Sequence, residues 1–160
     1  MLANLLLLGA PAVTIFLMIG NVTDPVNTPK FVVLGCVAGA CLPIAIRQGI
    51  RRPNYFGLIE CLVVLFAIWS LLATIKSGSP FTQNLYGVFG RNTGWLTYLF
   101  LGIILISAAS LKEFSTVQKF TKAMLITGVV NVAYSAWVLL FGDFVGWRNQ
   151  YGAILGTFGN

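Results

Sequence analysis

Arg91 and Arg148 are the side chains in this sequence best suited to holding a reactive ligand. Arg91 lies in residues 76–92, KSGSPFTQNLYGVFGRN, and Arg148 in residues 142–160, GDFVGWRNQYGAILGTFGN; each stretch carries a single arginine among glycines and aromatics. A guanidinium is a planar fork that meets phosphate oxygens two at a time. A helix N-terminus adds free N–H groups and the positive end of the helix dipole. A helix is due to begin just after Asn92, so Arg91, with Gly90 and Asn92 beside it, reads as a contact for a diphosphate or a phosphosugar. Gly87, Gly90 and Gly94 permit tight turns and close approach of backbone to a ligand. A second reading stands beside this one: Arg91 anchors the helix among lipid headgroups. The P-loop pattern G-x-x-x-x-G-K-[ST] is absent.

Other chemistry is scarce. The chain has no histidine and four acidic residues, which removes most constellations for general acid–base or nucleophilic work. Cys36, Cys41 and Cys61 form no C-x-x-C pair and have no ligand-spaced carboxylates, so they read as small apolar residues, with neither a metal site nor a disulfide framework. Glu60 is the one carboxylate well inside an apolar run; with Arg47, Arg51 and Arg52 on its side, an ion pair suits it better than a proton relay. Thr127, Asn131 and Ser135 recur every four residues and make a polar stripe that must face protein or a cavity, most simply for hydrogen bonds between helices. Gly35-x-x-x-Gly39 is a close-packing signal.

These residues are set in an extremely apolar chain. Of 160 residues, 58% are hydrophobic and 9% charged, against roughly 25% charged in a soluble domain. Such a chain cannot cover itself with polar surface in water, which points to an integral membrane protein. Charge-free runs predict an all-α, polytopic transmembrane bundle of about five spans, at 5–20, 31–46, 55–75, 95–111 and 120–141. Lys30 and Arg47 would snorkel from the ends of the second. The first run lacks a basic n-region and a small-residue cleavage site, so it reads as a retained helix rather than a signal peptide. Of the ten Lys and Arg residues, six fall on the side of the loops after the second and fourth spans. That bias puts the N-terminus in the cytoplasm. It also accounts for most of the net charge of +6 without a nucleic-acid partner. Residues 76–92 hold three aromatics (Phe81, Tyr86, Phe89), so this stretch should fold back onto the membrane interface or the bundle.

Three short motifs then give a resemblance. They are Asp24-Pro25 with Pro29-Lys30 before the second span, Gly87-Val88-Phe89-Gly90-Arg91-Asn92-Thr93-Gly94 before the fourth, and Gly156-Thr157-Phe158-Gly159-Asn160 at the end. In their order the chain resembles the N-terminal part of the O-antigen ligase and polymerase family of bacterial membrane glycosyltransferases. The resemblance implies about half of a larger helical bundle in the inner (cytoplasmic) membrane. It implies transfer of a glycan from an undecaprenyl-diphosphate carrier to lipid A core, another glycan or a protein at the outer face, with no metal or other cofactor. Arg91, and less distinctively Arg148, would hold the diphosphate. The partners implied are the bilayer, the lipid-linked glycan and the C-terminal remainder of the same protein. The family's catalytic loop lies in that remainder, so these 160 residues alone are expected to be inactive. The contrasting expectation is a non-enzymatic polytopic protein, a small transporter or an assembly subunit, for which broken helices would speak.

Overall fold

A computed structural model describes residues 1–18, 24–51, 57–88, 92–109, 111 and 113–145. Their regular structure is all helical, with no strand among the described residues: α1 (Leu2–Gly9), a 3₁₀ turn (Ala12–Ile15), α2 (Asn27–Arg51), α3 (Leu58–Lys76), α4 (Phe81–Tyr86), α5 (Trp95–Ala109) and α6 (Phe114–Phe141). Three helices are long and apolar enough to cross a membrane: Asn27–Arg47 within α2, Leu58–Lys76 and Phe114–Phe141. They correspond to the second, third and fifth predicted spans.

The first predicted span, 5–20, is corrected by the structure. Its helix stops after 8 residues, and the chain passes through Ala10 and buried Pro11 into the 3₁₀ turn. Proline has no N–H to donate and disfavours helical geometry in the residue before it; Ala10 sits at φ −118°, ψ −88°, off the helix. Hydropathy alone is blind to that break.

The fourth span is also shorter than expected. α5 has 15 residues, about 22 Å of helix against a hydrocarbon core of about 30 Å. Its partner α3 explains the shortfall. The two run antiparallel: Val63 packs on Gly102, the rings of Phe66 and Tyr98 meet edge to face at 6.0 Å, and the Trp95 indole N–H donates to the Ala67 carbonyl at 3.0 Å. Ala67 is the middle residue of α3. The chain thus leaves the end of α3 at Lys76, doubles back, and starts α5 some 13 Å deeper along the bundle. α4 fills the returning segment and packs on both α3 and α5. The described part of this stretch, residues 77–88 and 92–94, therefore folds onto the bundle through α4.

α2 runs parallel to α5. Phe100 meets Phe31 and Gly35, Ile104 and Val37 both reach Gly9 of α1, and the Cys41 thiol reaches Ser107. Leu6, Leu34, Val37, Ala38, Cys41 and Ile104 make the core where α1, α2 and α5 meet. Only half of the predicted glycine pair is used for packing: a Cβ on Gly35 would lie 3.0 Å from the Phe100 ring, whereas one on Gly39 would meet nothing.

The outward faces are apolar. α3 buries no residue, and Trp69 and Leu72 point outward with its other large side chains. α6 buries Thr116, Thr127 and Asn131 while Leu139, Leu140 and Phe141 stay about 70% exposed. Polar side chains inside and apolar ones outside is the pattern of a helix solvated by lipid. The antiparallel directions of α3 and α5 give a direct test. With the native cysteines replaced, single cysteines at the exposed positions Ser79 and Ser115 should be labelled from opposite sides of the membrane. Labelling from one side would break this arrangement.

Candidate functional site

Because α2 and α5 are parallel and Phe100 faces the stretch from Phe31 to Gly35, the two helices begin at nearly the same height, within about one turn. Both beginnings lie level with the middle of α3, at the end of the bundle where α4 packs. Tyr86, which closes α4, has its ring 6.2 Å from Phe31. The N-terminal ends of α2 and α5 are thus neighbours, and both direct the positive end of the helix dipole to one place.

Each beginning is built differently. α2 is capped by Asp24, whose Oδ1 accepts the N–H groups of Val26 (3.2 Å) and Asn27 (2.8 Å). An aspartate in this position satisfies donors that an α-helix leaves free and places a negative charge against its dipole. Asp24, Pro25, Val26, Asn27 and Pro29 are all buried, so this helix starts inside the protein.

α5 starts from a loop held by glycine. Gly87 has φ +97°, a left-handed geometry open to glycine. A Cβ on Gly94 would fall 2.3 Å from the Gly87 amide nitrogen and 2.4 Å from the Leu85 carbonyl oxygen. These glycines therefore serve close approach of backbone to backbone, where the sequence suggested approach to a ligand. Asn92, also left-handed at φ 48°, donates its N–H to the Val88 carbonyl at 3.3 Å and accepts the Thr97 hydroxyl on its own carbonyl. Positions 88 and 92 are tied together, and Asn92 is tied to the first turn of α5. On the other flank Asn84 donates to the Ser77 hydroxyl and, at 3.4 Å, to the Thr74 carbonyl at the end of α3.

Of the ligand contacts expected from the sequence, Asn92 is placed by the structure at the start of α5. Gly90, Arg91 and Arg148 lie outside the described residues. Glu60 sits in the first turn of α3, where its charge opposes the helix dipole, rather than deep in a span. Asp143 accepts the Tyr134 hydroxyl and the Val145 N–H, both at 2.8 Å, and so closes the end of α6. Thr127, Asn131 and Ser135 each donate to a carbonyl one turn back in α6, and Thr127 and Asn131 are buried on the helix that docks against α1 and the 3₁₀ turn. Among the described residues no group of three His, Cys, Asp or Glu side chains comes together as a metal would need, and the three cysteines are free thiols.

Two features were missed in the sequence. The first is Lys30. It does not snorkel to an aqueous surface: its Nζ is buried and makes no hydrogen bond, as is the second carboxylate oxygen of Asp24. The pairing D-P-x-x-x-P-K before an apolar run was visible, but nothing in it said that the ammonium would turn inward. The second is a groove of about 300 Å³ between α3 and α5, walled by apolar side chains such as Val64, Ala67, Ile68, Leu71, Trp95 and Leu99. It runs along the outer face of the bundle from the start of α5.

Compared with known protein families, with curated proteins and with solved structures, the chain matches none.

Proposed function

We propose that this chain is part of a bacterial inner-membrane glycosyltransferase, with its N-terminus in the cytoplasm, that moves a glycan from an undecaprenyl-diphosphate carrier to an acceptor (lipid A core, another glycan or a protein) at the outer face. The observation that carries this reading is the pair of parallel helix N-termini set side by side at one end of the bundle. Asp24 already counters the dipole of α2, so the start of α5 is the positive end left to favour an anion there, and half-depth helices in transport proteins meet anionic groups in this way. Arg91 adjoins Asn92 in the sequence. Its fork suits a diphosphate, whose charge grows as the sugar–oxygen bond breaks. The apolar groove beginning at Trp95 supplies a slot for the isoprenoid tail. The motifs that resemble the O-antigen ligase and polymerase family point the same way.

The test is glycan transfer by the whole protein in reconstituted membranes, from an undecaprenyl-diphosphate-linked donor. Arg91→Ala should lower transfer at least about tenfold, with Arg91→Lys recovering part of it, because lysine keeps the charge and loses the fork. Undiminished transfer in Arg91→Ala removes this residue from the mechanism.

A second reading, a non-enzymatic transporter or assembly subunit, is favoured by one observation. The first apolar run is broken at Ala10 and Pro11, and the broken piece packs against α6, which carries the polar stripe. Interrupted helices beside polar side chains mark solute paths in transporters. Solute uptake by proteoliposomes that is abolished by Asn131→Leu, with no glycan transfer from the whole protein, would select this reading.

A further inference from the structure

Asp24 Oδ2 and Lys30 Nζ are described side-chain atoms that are buried and make no hydrogen bond. They belong to the same beginning of α2. Asp24 already spends Oδ1 on the helix cap, and Lys30 follows one turn into the helix. The carboxylate acts electrostatically on the ammonium, yet the two are not in hydrogen-bond contact. Asp24 is 4% exposed, so bulk water does not solvate it. Leaving both groups unsatisfied in such a place is strongly unfavourable.

We propose that Asp24 Oδ2 and Lys30 Nζ together bind one hydroxyl group, which donates to the carboxylate and accepts from the ammonium. The donor and acceptor inventory leads to this choice. An ionised carboxylate only accepts and an ammonium only donates. A single bridging group must therefore donate on one side and accept on the other. A fully ionised phosphate oxygen would be repelled by Asp24 and a metal cation by Lys30. An O–H group satisfies both, through one oxygen that makes two hydrogen bonds of about 2.8 Å. Water is one source of that hydroxyl and a sugar is the other. The site lies at the bundle end where Phe31 meets Tyr86, so a sugar there would sit beside the diphosphate. In its sugar form the proposal rests on the transferase reading; in its water form it does not.

The experiment uses the full chain in lipid nanodiscs with ¹⁵N-labelled lysine, and Lys30→Met assigns the Lys30 ammonium resonance. A cross-relaxation peak from those protons to a long-lived water is expected. Asp24→Asn should abolish it and make the ammonium protons exchange with bulk water roughly tenfold faster. That variant keeps an oxygen for the cap, and asparagine is as good an N-cap as aspartate, so the start of α2 is preserved; the exchange rate is read below the unfolding midpoint of the variant, with unchanged exchange of the α6 amides as the check that the bundle is folded. A polyprenyl-diphosphate-linked N-acetylhexosamine is then added as the probe. Transfer of the cross-peak to carbinol protons of the probe identifies a sugar hydroxyl; persistence of the water peak identifies a resident water. A Lys30 ammonium that correlates with neither, or that exchanges at the same rate in Asp24→Asn, overturns the proposal. The peak should survive Arg91→Ala, so the hydroxyl site and the transferase reading stand or fall separately.

Discussion

Gly94→Ala should unseat the returning segment between α3 and α5, at a cost of about 2–4 kcal/mol in local stability. The added methyl would lie 2.3 Å from the Gly87 nitrogen, 2.4 Å from the Leu85 carbonyl oxygen and 2.4 Å from the Tyr86 carbonyl carbon. All three are backbone atoms, so no rotamer change relieves the clash. Either α4 lifts away from α5, or Trp95 is drawn from its hydrogen bond to Ala67. Both routes free the N–H groups of Gly87, Asn92 and Thr97, which otherwise donate to the carbonyls of Gln83, Val88 and Gly94. Hydrogen exchange in nanodiscs should report this as faster exchange at those amides, with α6 unchanged. Gly128→Ala is the control: it lies inside α6 with open space where its Cβ would go, and alanine is the better helix former. If the two variants exchange alike, the backbone crossing described here does not exist.

The residues that make Gly94 indispensable show where sequence reading succeeds and where it stops. The long apolar runs behind α2, α3 and α6 were legible because lipid demands length and hydropathy, and both can be counted. The turn chemistry and aromatics around α4 were legible as a stretch that returns to the bundle. Its depth was not, because depth is set by a tertiary contact, Trp95 to Ala67, between residues 28 positions apart. The break in the first run was written in Pro11, yet a hydropathy window averages over a single proline. The polar stripe of α6 was found by its spacing, whereas its hydrogen bonds back into its own helix follow from side-chain length: Thr and Ser reach the carbonyl one turn behind.

The candidate site divides in the same way. Arginine and glycine types before α5 pointed to a phosphate contact by residue chemistry. That the start of α2 lies beside the start of α5 is a matter of register. It follows from Phe100 seating against Gly35 and Phe31, and no local pattern encodes such a pairing. The parallel direction of α2 and α5 follows from ordinary alternation: α3 lies between them in the chain and runs antiparallel to α5.

Asp24→Leu should be the most destabilising substitution at that end, by about 4–6 kcal/mol. Two effects add. The α2 cap is lost, since leucine offers no oxygen to the Val26 and Asn27 N–H groups, a loss of about 1 kcal/mol. Lys30 is then left as a buried ammonium without its counter-charge, about 3–5 kcal/mol. The second effect is separable from the first. Asp24→Asn keeps the cap and removes only the charge, so it should show the larger share of the loss. Asp24→Asn combined with Lys30→Met should recover most of it, because methionine fills similar volume with no charge to satisfy. Reversible unfolding in mixed micelles measures all four proteins. If Asp24→Leu unfolds at the midpoint of the parent, or if Lys30→Met fails to rescue Asp24→Asn, the two charges do not depend on one another. The sign of the rescue also decides what the pair does: if the bundle is more stable without both charges, they serve a ligand or a water rather than the fold.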